Sequence, residues 1–186
     1  MRARLALTAV LVFCSSQQAL PSDAAWQALR QGGSVALLRH ARAPGTGDPP
    51  GFRLDDCATQ RNLSAEGREQ ARRIGAGFRD REIDVSQVLS SRWCRSLETA
   101  RLAFGDAAEP FPALDSFFAA RGEGARQTQE VRALIEGRAA AAGVLVLVTH
   151  QVNITALTGV FPAEGEILVL APKAGAGLDI VGRVRP

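Results

Sequence analysis

The stretch SVALLRH, residues 34–40, is an apolar run that ends in an arginine and a histidine. An unbroken apolar run of this length is typical of a parallel strand that is covered on both faces. The stretch VLVLVTH, residues 144–150, repeats the pattern more strongly. Each of the two histidines in the chain therefore follows a predicted buried strand.

Helical segments alternate with these strands along the chain. Five helices are predicted, from the helical spacing of apolar residues, from N-cap residues such as Ser64 and from terminal glycines. They cover 22–33, 62–80, 95–104, 125–143 and 151–159, and the fourth is expected to end at Gly143. Further strands are predicted over 85–91, 165–172 and 178–184. This alternation predicts a three-layer α/β/α sandwich with a mainly parallel central sheet and an antiparallel edge at the end.

Residues 1–20 predict a cleavable signal peptide. Two arginines precede a short apolar run, which is too short for a stable membrane span of about 20 residues, and a polar stretch follows. One domain over 21–186 is then expected in the periplasm or outside the cell. A buried N-terminal helix is the competing interpretation, and lipidation of Cys14 is disfavoured because Val12 and Phe13 are not small residues.

The charge of the chain argues against a nucleic-acid partner. The formal net charge is +3, but residues 1–20 hold two arginines and no acid, so the remaining chain is nearly neutral. All basic residues except Lys173 are arginines, whose planar guanidinium binds phosphate or carboxylate in a bidentate manner. No stripe of alternating basic and aromatic residues accompanies them.

The carboxyl ends of the predicted strands collect the residues that could do chemistry. His40 and His150 each end a strand, and Arg95 lies just beyond a third strand, at the start of a helix. Ligands of open α/β sheets bind at this edge. Arginine side chains there can hold phosphate oxygens, a helix N-terminus adds donors, and an imidazole can act as a nucleophile, so the pattern predicts a phosphate site.

Simpler interpretations compete with this one. Either histidine could be structural, Arg95 could pair with Glu98 on a helix surface, and residues 44–51 could be a plain turn. A zinc site would use two histidines and two cysteines, but no two of them are close in sequence (His40, Cys57, Cys94, His150). A serine hydrolase is disfavoured because no G-x-S-x-G motif is present.

Four sequence blocks carry a resemblance to a known family. LRHA at 38–41, RNLSAEGREQA at 61–71, SSRWCRSLETA at 90–100 and VLVLVTHQVNI at 144–154 resemble the histidine phosphatase superfamily, in its phosphoglycerate mutase-like branch (branch 1). The resemblance implies a metal-independent phosphatase with a phosphohistidine on His40. It further implies that Arg39 and Arg95 bind phosphate and that His150 donates a hydrogen bond to it.

The chain departs from the family pattern around the leaving group. Arg42, Thr46 and Gln151 are expected to bind substrate by their position alone. The glutamate that serves the family as general acid falls on Ser116, which leaves Asp115 as the favoured acid and Glu123 as the other nearby carboxylate.

The expected function is hydrolysis of a small phosphorylated compound, with a cell-envelope phosphate as one candidate. The alternatives are a phosphate-binding or degenerate phosphatase domain, supported by the missing glutamate, and a mutase, for which the short loops offer no lid. Oligomeric state is left open. Export would expose Cys57 and Cys94 to an oxidising compartment, which makes a disulfide between them one candidate and two buried thiols the open alternative.

Overall fold

A six-stranded sheet forms the centre of the computed structural model, which describes residues 22–138, 142–172 and 177–186. The strands are β1 (Val35–Arg39), β2 (Val85–Ser90), β3 (Glu109–Pro110), β4 (Val144–Thr149), β5 (Ile167–Pro172) and β6 (Leu178–Val184). Their order across the sheet is β3-β2-β4-β1-β5-β6. The first four in this order are parallel, whereas β5 and β6 are antiparallel to their neighbours. The predicted sheet with an antiparallel edge is confirmed.

Within the described ranges, five helices cover the two faces of the sheet. They are α1 (Ser22–Gln31), α2 (Ala65–Arg79), α3 (Cys94–Phe104), α4 (Gly124–Glu136) and α5 (Gln151–Thr158). Helices α1, α2 and α3 pack with Ala36 and Leu38 on one face, and α4 and α5 pack with Val35 and Leu37 on the other. Side chains alternate between the faces of a strand, so the apolar run of β1 supplies both cores. The three-layer architecture is therefore confirmed.

Strand register brings the two histidines together. Arg39 of β1 pairs with Thr149 of β4, and the backbone N–H of His40 donates to the carbonyl oxygen of Thr149 at 2.9 Å. Because β1 and β4 are parallel neighbours, His40 and His150 leave the sheet side by side at its carboxyl edge. Strand β2 is the other neighbour of β4 and ends at the same edge.

The start of α2 is pressed against the loop that follows His40. Ser64 caps the helix by accepting a hydrogen bond from the N–H of Gly67, as predicted. A Cβ at Gly67 would lie 2.1 Å from the carbonyl oxygen of Arg42, so this position has no room for a side chain. The helix thereby fixes the path of the chain just beyond the nucleophile candidate.

Two elements differ from the sequence prediction. The fourth helix ends at Glu136 with Gly137 as its cap, well before Gly143. Gly143 instead forms a turn with positive φ before β4, where its carbonyl oxygen accepts from Gly33. The two-residue strand β3 was not predicted because it is too short to show periodicity.

Some predictions fall outside the described residues. The signal peptide and Cys14 belong to residues 1–21, and most of the predicted glycine-rich turn after β5 falls in 173–176. Among the helices of the described segments, none combines the length and apolar character needed to cross a membrane.

Candidate active site

His40 lies at the carboxyl end of β1, where the sheet edge opens into a cleft. The residue is 2% exposed, and its Nδ1 lies 2.8 Å from the carbonyl oxygen of Ala41. A carbonyl oxygen only accepts hydrogen bonds, so Nδ1 carries the proton of the neutral ring. Nε2 is left with a lone pair, which is the state that a nucleophilic imidazole requires.

Burial and nearby positive charge keep this imidazole neutral. Desolvation is the larger cause and the charge of Arg95 comes next, and together they hold the pKa of His40 well below its usual range. The hydrogen bond to Ala41 acts in the opposite direction without offsetting them. His40 is therefore unprotonated at neutral pH and able to attack.

His150 faces His40 and is held by a serine. The two ring centroids are 5.4 Å apart, and Nε2 of His150 lies 2.8 Å from Oγ of Ser91, the residue after β2. Burial, followed by repulsion from His40 in its protonated form and from Arg95, holds the pKa of His150 well below its usual range. The single hydroxyl proton of Ser91 has two acceptors within reach, Nε2 of His150 at 2.8 Å and Oδ1 of Asp115 at 3.3 Å, and we assign it to the shorter contact. With Nε2 as the acceptor, a neutral His150 carries its proton on Nδ1, which can donate to a phosphoryl oxygen.

Arg95 is paired with Asp48 rather than with Glu98. Nη1 of Arg95 donates to Oδ1 of Asp48 at 2.8 Å and Nη2 donates to Oδ2 at 3.2 Å, and both side chains are buried. Burial by itself would raise the pKa of Asp48, but the hydrogen bond and charge of Arg95 outweigh it and lower the pKa. Glu98 bonds to Arg68 instead. The ionised Asp48 therefore orients the guanidinium of Arg95.

Two buried arginine nitrogens have no hydrogen-bond partner among the described residues. They are Nε of Arg39 and Nε of Arg95, and both residues line the same cleft as His40. Arg39 uses its Nη1 on the carbonyl oxygen of Pro162 at 2.9 Å, and its Nη2 faces Glu164 at 3.7 Å. Unpaired buried donors are costly, so two of them in one cleft indicate an anion site.

Arg61 is a third guanidinium of the cleft and was missed by sequence reasoning. Its Nε donates to the carbonyl oxygen of Gly47 at 2.8 Å, its Nη1 donates to that of Ala43, and its backbone N–H donates to Asp48. The sequence feature that could have identified Arg61 is its position directly before the helix-capping segment 62–64. Asp48 was missed as well, because it lies in a stretch that is typical of a plain turn.

The cleft has a volume of about 320 Å³, at the small end for ligand pockets. It brings together all four predicted phosphate-site residues and two of the predicted substrate-binding residues: Arg39, His40, Arg95, His150, Thr46 and Gln151. Arg42 does not line it. The side chain of Arg42 is exposed at a neighbouring depression, because the backbone at this position turns toward α2 and its N–H donates to Gln70.

The structure does not place the predicted general acid in the cleft. Asp115 is buried, and its two oxygens accept hydrogen bonds from the backbone N–H and from Nε of Arg92, at 2.8 and 2.7 Å. It lies 3.3 Å from Oγ of Ser91 and so stands behind His150. Glu123 is exposed and paired with Arg126. Neither carboxylate lines the cleft, so the structure does not bring Asp115 or Glu123 to the place where a leaving group would need a proton.

Cys57 and Cys94 form a disulfide with their Cα atoms 5.7 Å apart. The bridge ties the long loop between β1 and α2 to the first residue of α3, next to Arg95. Bridged sulfurs are not thiolates, so the zinc interpretation loses both cysteine ligands. Within the described part of the chain, no three residues of the types His, Cys, Asp and Glu are grouped to hold a metal ion.

The sequence of this chain matches the model of a known protein family. The model of the histidine phosphatase superfamily (branch 1) matches residues 35–132, which is more than half of the chain. The chain belongs to this superfamily. The matched range contains the strand that delivers His40, the capped helix α2 and the start of α3 with Arg95.

Solved structures of other proteins share the histidine phosphatase fold. The protein histidine phosphatase SixA, solved with tungstate, has a TM-score of 0.59 and 16% identity over 82% of this chain and 97% of its own. The product of open reading frame Rv3214 of Mycobacterium tuberculosis has a TM-score of 0.59 and 18% identity over 80% and 96%. The mycobacterial glucosyl-3-phosphoglycerate phosphatase Rv2419c has a TM-score of 0.57 and 18% identity over 79% and 97%. At these identities the likeness is one of fold. No curated protein matches the chain in sequence.

Proposed function

We propose that this histidine phosphatase is an exported, metal-independent hydrolase of phosphomonoesters or related phospho-compounds that works through a phosphohistidine on His40. The observation that carries the proposal is the 2.8 Å contact between Nδ1 of the buried His40 and the carbonyl oxygen of Ala41, which places the ring proton on Nδ1 and leaves the lone pair on Nε2. The unpaired Nε donors of Arg39 and Arg95 in the same cleft support an anionic substrate.

In the first step, Nε2 of His40 attacks the phosphorus and the bond to the leaving oxygen breaks. The two guanidinium groups and Nδ1 of His150 donate to the phosphoryl oxygens, whose charge they neutralise as the group transfers. The carbonyl oxygen of Ala41 accepts the hydrogen bond from Nδ1 of His40 and stabilises the cationic ring that forms.

In the second step, a water molecule attacks the phosphorus of the phosphohistidine. The P–N bond breaks, the electron pair returns to Nε2 of His40, the attacking water releases a proton to solvent, and inorganic phosphate leaves. The same arginines hold the phosphoryl oxygens during both steps, so no metal ion is needed to neutralise their charge.

Replacement of His40 by alanine tests this mechanism. We expect His40→Ala to lose turnover of acetyl phosphate by on the order of 10³-fold or more and to lose covalent labelling by ³²P-acetyl phosphate. His150→Ala is the matched control, because it should transfer more slowly while still forming an acid-labile adduct on His40. Full activity in His40→Ala, or activity lost to a chelator and restored by zinc, would contradict the proposal.

A second candidate is a phosphate-binding domain without efficient turnover. It is favoured by one observation, namely that Asp48 is the only carboxylate among the described residues that line the cleft, and Arg95 already holds it. The labelling experiment separates the two candidates. Such a domain would bind phosphate in the cleft, but His40 would never acquire a phosphoryl group.

Export is proposed from residues 1–20 and has its own test. Cleavage should leave a mature protein that starts near Leu20 or Ser22, read by mass spectrometry after expression in a bacterial host with a periplasm. An intact Met1 in the envelope fraction would reject cleavage. A lipid on Cys14 would show that the lipoprotein interpretation is right instead.

A further inference from the structure

Three phenylalanine side chains of the described residues line the cleft. Phe118 and Phe161 are 44% and 68% exposed and are the exposed large hydrophobic residues of the described segments, and both line the cleft. Phe52 also lines it, and its ring centroid lies 5.6 Å from that of Trp93, which lies 5.5 Å from His150. Exposed aromatic rings gathered at one cleft mark a ligand surface. We call Phe52, Phe118 and Phe161 the aromatic rim.

Among the described residues that line the cleft, none adds a free cationic side chain at the aromatic rim for a second anionic group on a ligand. The arginines that line the cleft already have partners within the protein. Arg95 forms an ion pair with Asp48, Arg39 donates a hydrogen bond to the carbonyl oxygen of Pro162, and Arg61 donates to carbonyl oxygens of the 43–47 loop. Arg121 lies near the rim, with its guanidinium 5.7 Å from the ring centre of Phe118, but it does not line the cleft. An uncharged, flat group therefore fits the rim better than a carboxylate or a second phosphate.

The described residues that line the cleft also offer no free acid to a leaving group. Ser116 lines it where a carboxylic acid would be useful, and a serine hydroxyl is too weak an acid to protonate an alkoxide. Asp48 is held as a carboxylate by Arg95, and Asp115 is turned toward Arg92. A leaving group that departs as a stable anion needs no such proton. The aryloxide that departs from the phosphate ester of an aromatic hydroxyl group is such an anion.

We propose that the preferred substrates are phosphate monoesters of uncharged aromatic hydroxyl groups, with the ring seated against Phe118 and Phe161. This inference rests on the proposed function. Nε2 of His40 attacks the phosphorus, the P–O bond to the ring breaks, and the aryl oxygen leaves with the electron pair as an aryloxide that takes a proton from water. Water then hydrolyses the phosphohistidine to inorganic phosphate.

Four substrates separate the contribution of the ring from that of the leaving group. Phenyl phosphate has both a ring and a stable leaving anion, benzyl phosphate has only the ring, acetyl phosphate has only the stable anion, and glycerol phosphate has neither. We expect kcat to follow the leaving group and KM to follow the ring. Phenyl phosphate should exceed benzyl phosphate in kcat by about 10²-fold, and benzyl phosphate should have about a tenfold lower KM than glycerol phosphate.

Single substitutions connect the ring effect to the aromatic rim. Phe118→Ala and Phe161→Ala should each raise KM about threefold to tenfold for phenyl and benzyl phosphate, and raise it less for acetyl phosphate, which has no ring to contact them. Both side chains are exposed, so neither substitution is expected to unfold the protein. Phe117→Ala is the matched control, because Phe117 lies in the same loop, packs on Gly124 and does not line the cleft.

The outcomes separate failure of this inference from failure of the proposed function. Acetyl phosphate turnover and labelling of His40 report on the function alone. If they persist while glycerol phosphate matches phenyl phosphate in kcat/KM, the aromatic preference is wrong. If a carboxylated phenyl phosphate matches phenyl phosphate, the preference for an uncharged ring is wrong. It is also wrong if the Phe118 and Phe161 variants affect acetyl phosphate as much as phenyl phosphate. If no substrate labels His40, the function itself fails and the inference falls with it.

Discussion

At the scale of single residues, Asp48 sets the electrostatics of the phosphate site. It is an ionised, buried carboxylate that accepts hydrogen bonds from Arg95, from the backbone of Arg61 and from Nε1 of Trp93 at 2.9 Å. A phosphate that reaches Nε of Arg95 therefore binds close to an existing negative charge. Asp48 orients the arginine, but it also opposes the anion that the arginine is there to hold.

We expect Asp48→Asn to bind inorganic phosphate about tenfold more tightly, because a competing negative charge is removed while a side-chain oxygen still accepts from Arg95. Without phosphate the same variant should be less stable by about 3 kcal/mol, since the buried Arg95 loses its counter-ion. Titration calorimetry and thermal unfolding measure the two effects. Asp55→Asn, an exposed residue of the same loop, is the control. Unchanged or weaker phosphate binding would mean that orientation of Arg95 is the only role of Asp48.

At the scale of elements, the loop between β1 and α2 is held at several points. The disulfide joins Cys57 to the start of α3, Gln60 accepts a hydrogen bond from the N–H of Cys94 at 3.0 Å, and Arg61 donates to carbonyl oxygens near its other end. This loop supplies Thr46, Asp48 and Phe52 to the cleft. Its position therefore decides the shape of the active site.

Loss of the disulfide should lower both stability and substrate binding. The bridge closes a loop with a sequence separation of 37 residues, and we expect the Cys57→Ser, Cys94→Ser double variant to lose about 2–4 kcal/mol of unfolding free energy. KM should rise because Asp48 and Phe52 are held less firmly, whereas His40, which is fixed by β1, should still be labelled. The wild type with a reducing agent should reproduce the double variant. Unchanged KM in both would contradict a role for the bridge in shaping the cleft.

At the scale of the whole molecule, two buried neutral histidines make stability depend on pH. Folding lowers the pKa of both His40 and His150, through burial first, so the unfolded chain binds more protons than the folded one below the ordinary histidine pKa of about 6.5. The stabilisation is fully present above that pH and is lost as the pH falls below it.

We therefore expect the unfolding free energy of the phosphate-free protein to fall by about 2 kcal/mol between pH ~7.5 and ~5.5, measured by denaturant titration. His40→Asn should show about half of this dependence, because one titrating group is gone. The same shift leaves His40 unprotonated in mild acid, so labelling should persist below pH ~6. A stability that is flat over this range in the wild type would contradict neutral burial of the histidines.

Much of the fold and the centre of the site could be predicted from the sequence. The apolar runs of β1 and β4, the Ser64 cap and the histidines that end two strands are local patterns, and local patterns express propensity and burial directly. Parallel neighbouring strands then bring His40 and His150 to one edge without further information.

Only the tertiary structure decided which charges meet. Arg95 could pair with Glu98 on its own helix, yet Asp48 holds it from 47 residues away. Asp115 stands near the expected place for an acid, yet Arg92 binds it and turns it from the cleft. Ion pairs of this kind depend on the path of the loop, on burial and on competition among several arginines. None of these three factors produces a repeating pattern in the sequence. Hydrophobic alternation is a pattern of neighbouring residues and can be recognised in the sequence. The partner of a buried charged side chain, in contrast, depends on which distant segments pack together.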